Sequence, residues 1–160
     1  MDQRTVLIES LEKSRASMLT HLEEIDRDRK IYPLWTIREI LAHICGWDDS
    51  VIAMARALLA DSVPATPAMR GADVYNAETV STREGLDYDH IYREYMQTRK
   101  TVLDLLRELP EEKIARPSVL PWGEPGSLVD LVHIFAEHEI EHAVDVQQLI
   151  AAGKAAQARD

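Results

Sequence analysis

The stretch SLVDLVHIFAEHEIEHAVDVQQLIAAG, residues 127–153, decides how this chain is read. It is long, free of proline and apolar at three- and four-residue steps, the period of a helix with one buried face. A helix turns by about 100° per residue. With Leu131 at zero, Phe135 falls near +40°, His138 near −20°, His142 near +20° and Leu149 near 0° on a helical wheel of roughly that pitch. Both histidines therefore sit inside the apolar stripe. Two imidazoles on a buried face need partners for their ring nitrogens. Histidines at i and i+4 can supply them together by binding one metal ion. His133 lies about 180° from His142 and is excluded from any such site.

Working outward, three more segments read as helices. The first, from about Asp2 to Arg29, carries Leu7, Leu11, Met18, Leu22 and Ile25 on one face. The second opens with a capping box, Thr36 to Glu39, and stops near Ala60 before Pro64 and Pro67. The third, from about Asp89 to Leu109, is closed by Pro110. The fourth opens at Ser127 and Asp130 and is expected to end near Ala152, with Gly153 as its cap and residues 154–160 as a frayed tail. No segment alternates as a strand does. The expectation is a single-domain, all-α four-helix bundle over residues 1–153, with long connections between helices two and three and between three and four. The short link from Lys30 to Trp35 predicts that the first two helices are antiparallel neighbours, and a short helix is expected around Tyr75 to Val80.

On the second helix His43 shares a face with Ile40, Trp47, Met54 and Leu58 and points inward or to the rim. Cys45 turns about 200° away from it, against a thiolate ligand. Two histidines from one helix and one from another can form a three-nitrogen site with open positions, the pattern of catalytic rather than structural zinc. Imidazoles suit Zn, Ni, Fe and Cu alike. Three carboxylates are candidates for acid–base or orienting work: Glu139, Glu39 and Asp145, the last placed about 20° from His138 on the helical wheel to orient its ring. Trp47 and Tyr95 read as pocket lining or as core. His138-Glu139-Ile140-Glu141-His142 also matches the H-E-x-x-H motif of zinc proteases, in which the glutamate is the general base. Those enzymes bind peptide along a sheet edge, and no strand is visible here. A solvated helix flank is the plainer reading of Glu139 and Glu141.

Composition narrows the partners. The net charge of −10 argues against nucleic acid and against an anionic membrane surface. No apolar run approaches the length of a membrane span, and the first residues carry charges that a signal peptide lacks. The lone cysteine fits a reducing, cytoplasmic setting. Ile8, Leu19, Ile52 and Leu59 are expected on the outer helix faces, where they are compatible with an interface between copies.

Three stretches together resemble the DinB/YfiT-like superfamily of bundle metalloproteins. They are WTIREILAHICGW at residues 35–47, Tyr75-Asn76-Ala77, and Trp122-Gly123 through Ser127-Leu128 to His138, Glu139 and His142. The resemblance implies a divalent metal, Zn or Ni, held by His43, His138 and His142, and a homodimer as a common state. Similar proteins include thiol-dependent S-transferases and a maleylpyruvate isomerase that use low-molecular-weight thiols, and others described as hydrolases. The expectation is a metal-dependent enzyme acting on a small molecule, with thiol-dependent S-transfer ahead of hydrolysis. The rival readings are a non-catalytic metal-binding or stress-response module, and a purely structural bundle whose histidines pair with carboxylates.

Overall fold

The computed structural model describes residues 1–159. Six helices follow in order: α1 (Gln3–Leu19), α2 (Ile37–Leu59), α3 (Ala72–Ser81), α4 (Tyr88–Glu108), α5 (Glu111–Ile114) and α6 (Leu128–Gln157). A minimal antiparallel ladder, β1 (Ser118–Val119) with β2 (Pro125–Gly126), ties the connection ahead of α6. No sheet had been expected, and this two-residue pairing is the whole of it among the described residues.

The bundle is made of α1, α2, α4 and α6. Its pairing differs from the simple up-and-down order. α1 packs chiefly on α6 and also meets α4, while α2 packs on α4, α6 and α3. The first two helices are therefore not the close neighbours that a short link would make them. The cause is local: α1 stops at Leu19, not near Arg29, so residues 20–36 form a connection long enough to cross the bundle. Thr20 Oγ1 bonds back to the Ala16 carbonyl at 2.8 Å, and His21 N and Leu22 N take i−3 carbonyls at 3.0 and 3.3 Å. Such side-chain competition and tightened turns end a helix. Leu22 and Ile25 stay buried even so.

α2 begins where expected, with both halves of its capping box formed, and so does α6, on Ser127 and Asp130. At its other end α6 runs through Gly153 to Gln157, so the expected cap and frayed tail are replaced by another turn of helix. Lys154 in that turn pairs with Glu24 at 2.5 Å. Within the 61–86 connection α3 is longer than expected and lies on α2 at Gly46. A Cβ at Gly46 would stand 2.5 Å from Thr79 Cβ, so the crossing needs glycine there. Tyr75 Oη donates to the Gly46 carbonyl at 2.6 Å and fixes the same contact.

The core is two apolar halves separated by a polar layer. One half centres on Leu7, Leu11, Val51, Val102 and Leu131, the other on Met18, Ile37, Leu41, Ile91 and Val146. Between them every bundle helix contributes charged or polar side chains: Ser14 and Arg15 from α1, Asp48 from α2, Thr98 and Arg99 from α4, and Glu139 from α6, all buried. Arg15 reaches Glu139 at 2.7 Å and Asp48 at 3.0 Å, and Arg99 reaches Glu139 at 2.7 Å and Asp48 at 3.1 Å. Two cations and two anions balance, as buried charges require. The expected outer-face apolar residues are not free: Ile52 is buried, and Ile8, Leu19 and Leu59 pack half-buried against the core.

Candidate metal centre

His43 on α2 faces His138 and His142 on α6. The three can each offer one nitrogen such that all three atoms lie within 4.8 Å of one another. His138 Nε2 stands 3.2 Å from His43 Nε2 and 2.9 Å from His142 Nε2. Nitrogens held at about 2.0–2.1 Å around a tetrahedral ion lie about 3.3 Å apart, so the cluster has nearly that size already.

The protonation chemistry agrees with a ligand set. Burial pushes His43 down to about 2, helped by the neighbouring His138 and His142 imidazoles, with the Asn76 side chain pulling the other way. Burial, followed by His138, lowers His142 to about 4, and burial lowers His138 as well. Neutral imidazoles keep the lone pairs that a metal needs. His43 Nδ1 is buried without a hydrogen-bond partner among the described residues. The residues therefore fit a divalent ion: three convergent, neutral nitrogen donors, and little room to satisfy them by hydrogen bonding among themselves.

Tyr32, in the connection between α1 and α2, fixes one of the rings. Its hydroxyl donates to Asp145 at 2.5 Å and lies 2.7 Å from His142 Nδ1. A carboxylate only accepts, so the tyrosine proton goes to Asp145 and the tyrosine oxygen accepts from His142 Nδ1–H. That tautomer leaves the lone pair on His142 Nε2, facing the other two imidazoles. Burial, reinforced by Asp145, raises the Tyr32 pKa far above its ordinary value and keeps the proton in place. Trp35 packs on His43 with ring centres 4.9 Å apart.

Two cavities meet at this cluster. One, of about 440 Å³, lies between α3 and α6 and is walled by Trp47, Trp122, Ile134 and Phe135. The other, of about 530 Å³, is bounded by Tyr32, Leu34 and Trp35. His138 and Asn76 belong to both. Trp47 Nε1 donates to Asn76 Oδ1 at 2.8 Å, which leaves the Asn76 amide N–H groups for other partners.

The carboxylates expected near the metal divide. Asp145 is at the site but acts on His142 and not on His138, because the connection between α1 and α2 brings the Tyr32 hydroxyl between Asp145 and His142. Glu39 is not at the site. Its carboxylate takes the Thr36 N–H at 2.7 Å and hydroxyl at 2.6 Å and pairs with Arg38, holding its pKa below the ordinary value against the effect of burial. Glu139 is neither a solvated flank nor a base beside the histidines. It is fully buried in the polar layer, bonded by Arg15, Arg99, Ser14 at 3.0 Å and the Tyr95 hydroxyl. Burial works to raise its pKa, and Arg99 and Arg15 outweigh it. Every position on it is taken, so the H-E-x-x-H reading fails on geometry. Tyr95 is core, with Arg15 stacked 3.4 Å over its ring. Trp47 lines a cavity.

Tyr32, Asn76 and the Arg15–Arg99 pair had not been assigned these places from sequence. The layer had a partial signal: Arg15 and Arg99 each stand four residues after an apolar stripe position, Leu11 and Tyr95, on two different helices. Tyr32 had none, because the stretch that carries it, Lys30 to Trp35, reads only as a short link between helices.

Solved structures similar to this one share its architecture at low identity. A mycothiol-dependent maleylpyruvate isomerase superposes with a TM-score of 0.73 at 12% identity, covering 89% of this chain and 60% of that one. This chain thus spans about 60% of the isomerase's length. The Sibling Lethal Factor precursor DfsB matches with a TM-score of 0.77 at 20% identity, over 94% of this chain and 96% of that one. YfiT from Bacillus subtilis, described as "a probable metal-dependent hydrolase with an unusual four-helix bundle topology", matches with a TM-score of 0.70 at 17% identity, over 94% and 87% of the two chains. No protein of curated function matches the sequence. The model of the DinB superfamily matches residues 10–144, most of the chain, with all three histidines inside the match. By its sequence, its fold and the span of that match, this chain belongs to the DinB superfamily.

Proposed function

We propose that this chain is a metal-dependent enzyme that joins two small molecules at one divalent ion held by Nε2 of His43, His138 and His142. The observation that carries the reading is the convergence of three neutral imidazole nitrogens where two cavities meet. Zn or Ni suits the donor set. Such an ion lowers the pKa of a bound thiol or water, which supplies a nucleophile at neutral pH.

The chain's own residues do the positioning. Asp145 and Tyr32 hold His142 in one tautomer, and Trp35 braces His43. Cavities of about 440 and 530 Å³ are each of small-molecule size, giving one place to a thiol cosubstrate and one to an electrophile. Most of the surface lining both cavities is apolar, and both open to solvent, so small molecules can enter. Cys45 is fully buried, so the thiol is supplied from solution and not by the chain. In the transfer a sulfur–carbon bond forms as the bond from that carbon to its leaving group breaks, and the thiol proton departs with the leaving group. The mycothiol-dependent isomerase among the similar structures lends this reading support at the level of the fold. The hydrolase description of YfiT supports a variant in which water takes the place of the thiol.

Metal analysis after reconstitution is expected to give about one equivalent, lost in His138→Ala. Binding well below one equivalent, unchanged in His138→Ala, overturns the metal site. Metal-loaded protein is then offered mycothiol, bacillithiol or glutathione with an aryl halide. Thiol consumption above the metal-free control is expected. Loss of the halide without thiol consumption assigns hydrolysis in place of transfer.

A further inference from the structure

The walls of the two cavities carry a charge that the reading above does not use. In the cavity of about 440 Å³, Glu137 and Glu141 stand one helical turn apart on α6, on either side of His138. In the cavity of about 530 Å³, Asp73 from the first turn of α3 is the matching acid. Among the described residues none of the three makes an ion pair, whereas Asp61 on another face pairs with Lys113 and Arg116. Neither lining includes a lysine or an arginine. The nearby ammonium of Lys30 is turned to the Leu34 carbonyl at 3.3 Å, outside both linings.

Glu137 and Glu141 share their cavity with an aromatic wall. Trp47 stacks on Phe135 with centres 4.5 Å apart, and Trp122 meets Trp47 edge-on at 6.3 Å. Aromatic faces and carboxylates attract the same kind of ligand, a cation on an apolar body. An anion entering the same space meets two unneutralised acids, Glu137 and Glu141, on a chain of net charge −10. A second feature of the same cavity is independent of charge: Trp47 and Phe135, 4% and 7% exposed, form a preformed aromatic floor in it.

We infer that the substrate bound between Trp47, Trp122 and Phe135 is an organic cation, a protonated or quaternary amine on a flat apolar body, selected by Glu137 and Glu141. The inference rests on the histidine cluster being the working site and names the class of molecule the site takes. It sets this chain apart from enzymes acting on dicarboxylates, which need cationic side chains in the same place.

The test uses two probes of similar size, benzyltrimethylammonium and 3-phenylpropionate. The quaternary ammonium cannot ligate a metal, and both are titrated into metal-free, full-length protein. Binding is read from the indole N–H resonances of Trp47 and Trp122. The cation is expected to bind at least about tenfold more tightly than the anion. Glu137→Gln/Glu141→Gln is expected to weaken the cation by about 3- to 30-fold, the range of two solvent-exposed ion pairs. Glu23→Gln/Glu112→Gln, exposed and outside both cavities, makes the same change in net charge and is expected to leave binding within about twofold, as distant screened charges do. Equal or tighter binding of the anion, no response of either indole to the cation, or equal weakening in the two double variants overturns the inference. Metal stoichiometry of the same variants is measured separately. A failed charge preference with one equivalent of metal bound therefore counts against the substrate class alone, and a failed stoichiometry counts against the metal site.

Discussion

Replacing Glu139 by glutamine tests what the central polar layer does. The carboxylate accepts from Arg15 and Arg99 at 2.7 Å each, from Ser14 at 3.0 Å and from the Tyr95 hydroxyl. Arg15 and Arg99 are balanced only by Asp48 and Glu139, so Glu139→Gln leaves one buried positive charge without an opposite. Breaking one side of a buried ion pair costs about 3–5 kcal/mol. The two charge-assisted hydrogen bonds lost are worth about 1.5–3 kcal/mol each, which brackets the same figure by a different route. Against a total stability of roughly 5–15 kcal/mol the loss is large. An unfolding entropy of about 2.1 cal/mol/K per residue gives roughly 0.34 kcal/mol/K for a chain of this length, so a loss of about 4 kcal/mol lowers Tm by roughly 10 °C. The assay is urea unfolding of metal-free protein followed by circular dichroism, so that metal binding to the folded state does not mask the change. The midpoint should fall with an unchanged slope. Arg99→Met/Glu139→Gln should lose less than the sum of the two single changes by more than about 1 kcal/mol, since the partners are in contact. A loss below about 1 kcal/mol in Glu139→Gln, with additive behaviour in the pair, would refute the claim that this layer is a closed, charge-balanced unit. It would also reopen the role of Glu139 as a base next to the histidines.

Three further outcomes are expected. Tyr32→Phe removes the hydroxyl between Asp145 and His142 and should weaken metal binding by about 10- to 100-fold in a chelator competition, with unfolding of the metal-free protein little changed; unaltered affinity would mean that the Tyr32 contact does not orient the ring. Gly46→Ala puts a Cβ 2.5 Å from Thr79 and should cost about 1–3 kcal/mol as α3 is pushed off α2, with the Trp47 indole resonance shifting as its Asn76 partner moves; a variant as stable as the parent with an unmoved resonance would contradict the close crossing. Cys45, fully buried and with its thiol pushed up to about 12 chiefly by burial, should resist a thiol reagent in the folded protein and react in urea; equal rates in both would show that α2 opens readily.

The helical periodicity of residues 127–153 determined much of this protein before any coordinates. It put His138 and His142 on one inward-facing stripe, where they are half-buried, and capping residues at Thr36 and Ser127 mark where two bundle helices begin. Those are local properties, written in spacing and in the backbone groups that a helix start leaves unpaired. That His43 joins the other two was carried by resemblance, and only the packing of α2 on α6 puts its nitrogen 3.2 Å from His138. The tertiary structure also decided three matters that spacing could not. Glu139 lies about 80° off the line of the two histidines on a helical wheel, close enough to serve a metal or to leave it, and the arginines of α1 and α4 determined which. Ile8, Leu19, Ile52 and Leu59 are outer-face residues by sequence, and the elements packed beside them cover them in the fold. Tyr32 reaches His142 across 110 positions of sequence. A helix records its own faces in its sequence, whereas the identity of what each face meets depends on chain closure over long separations, and that is settled only when the helices pack.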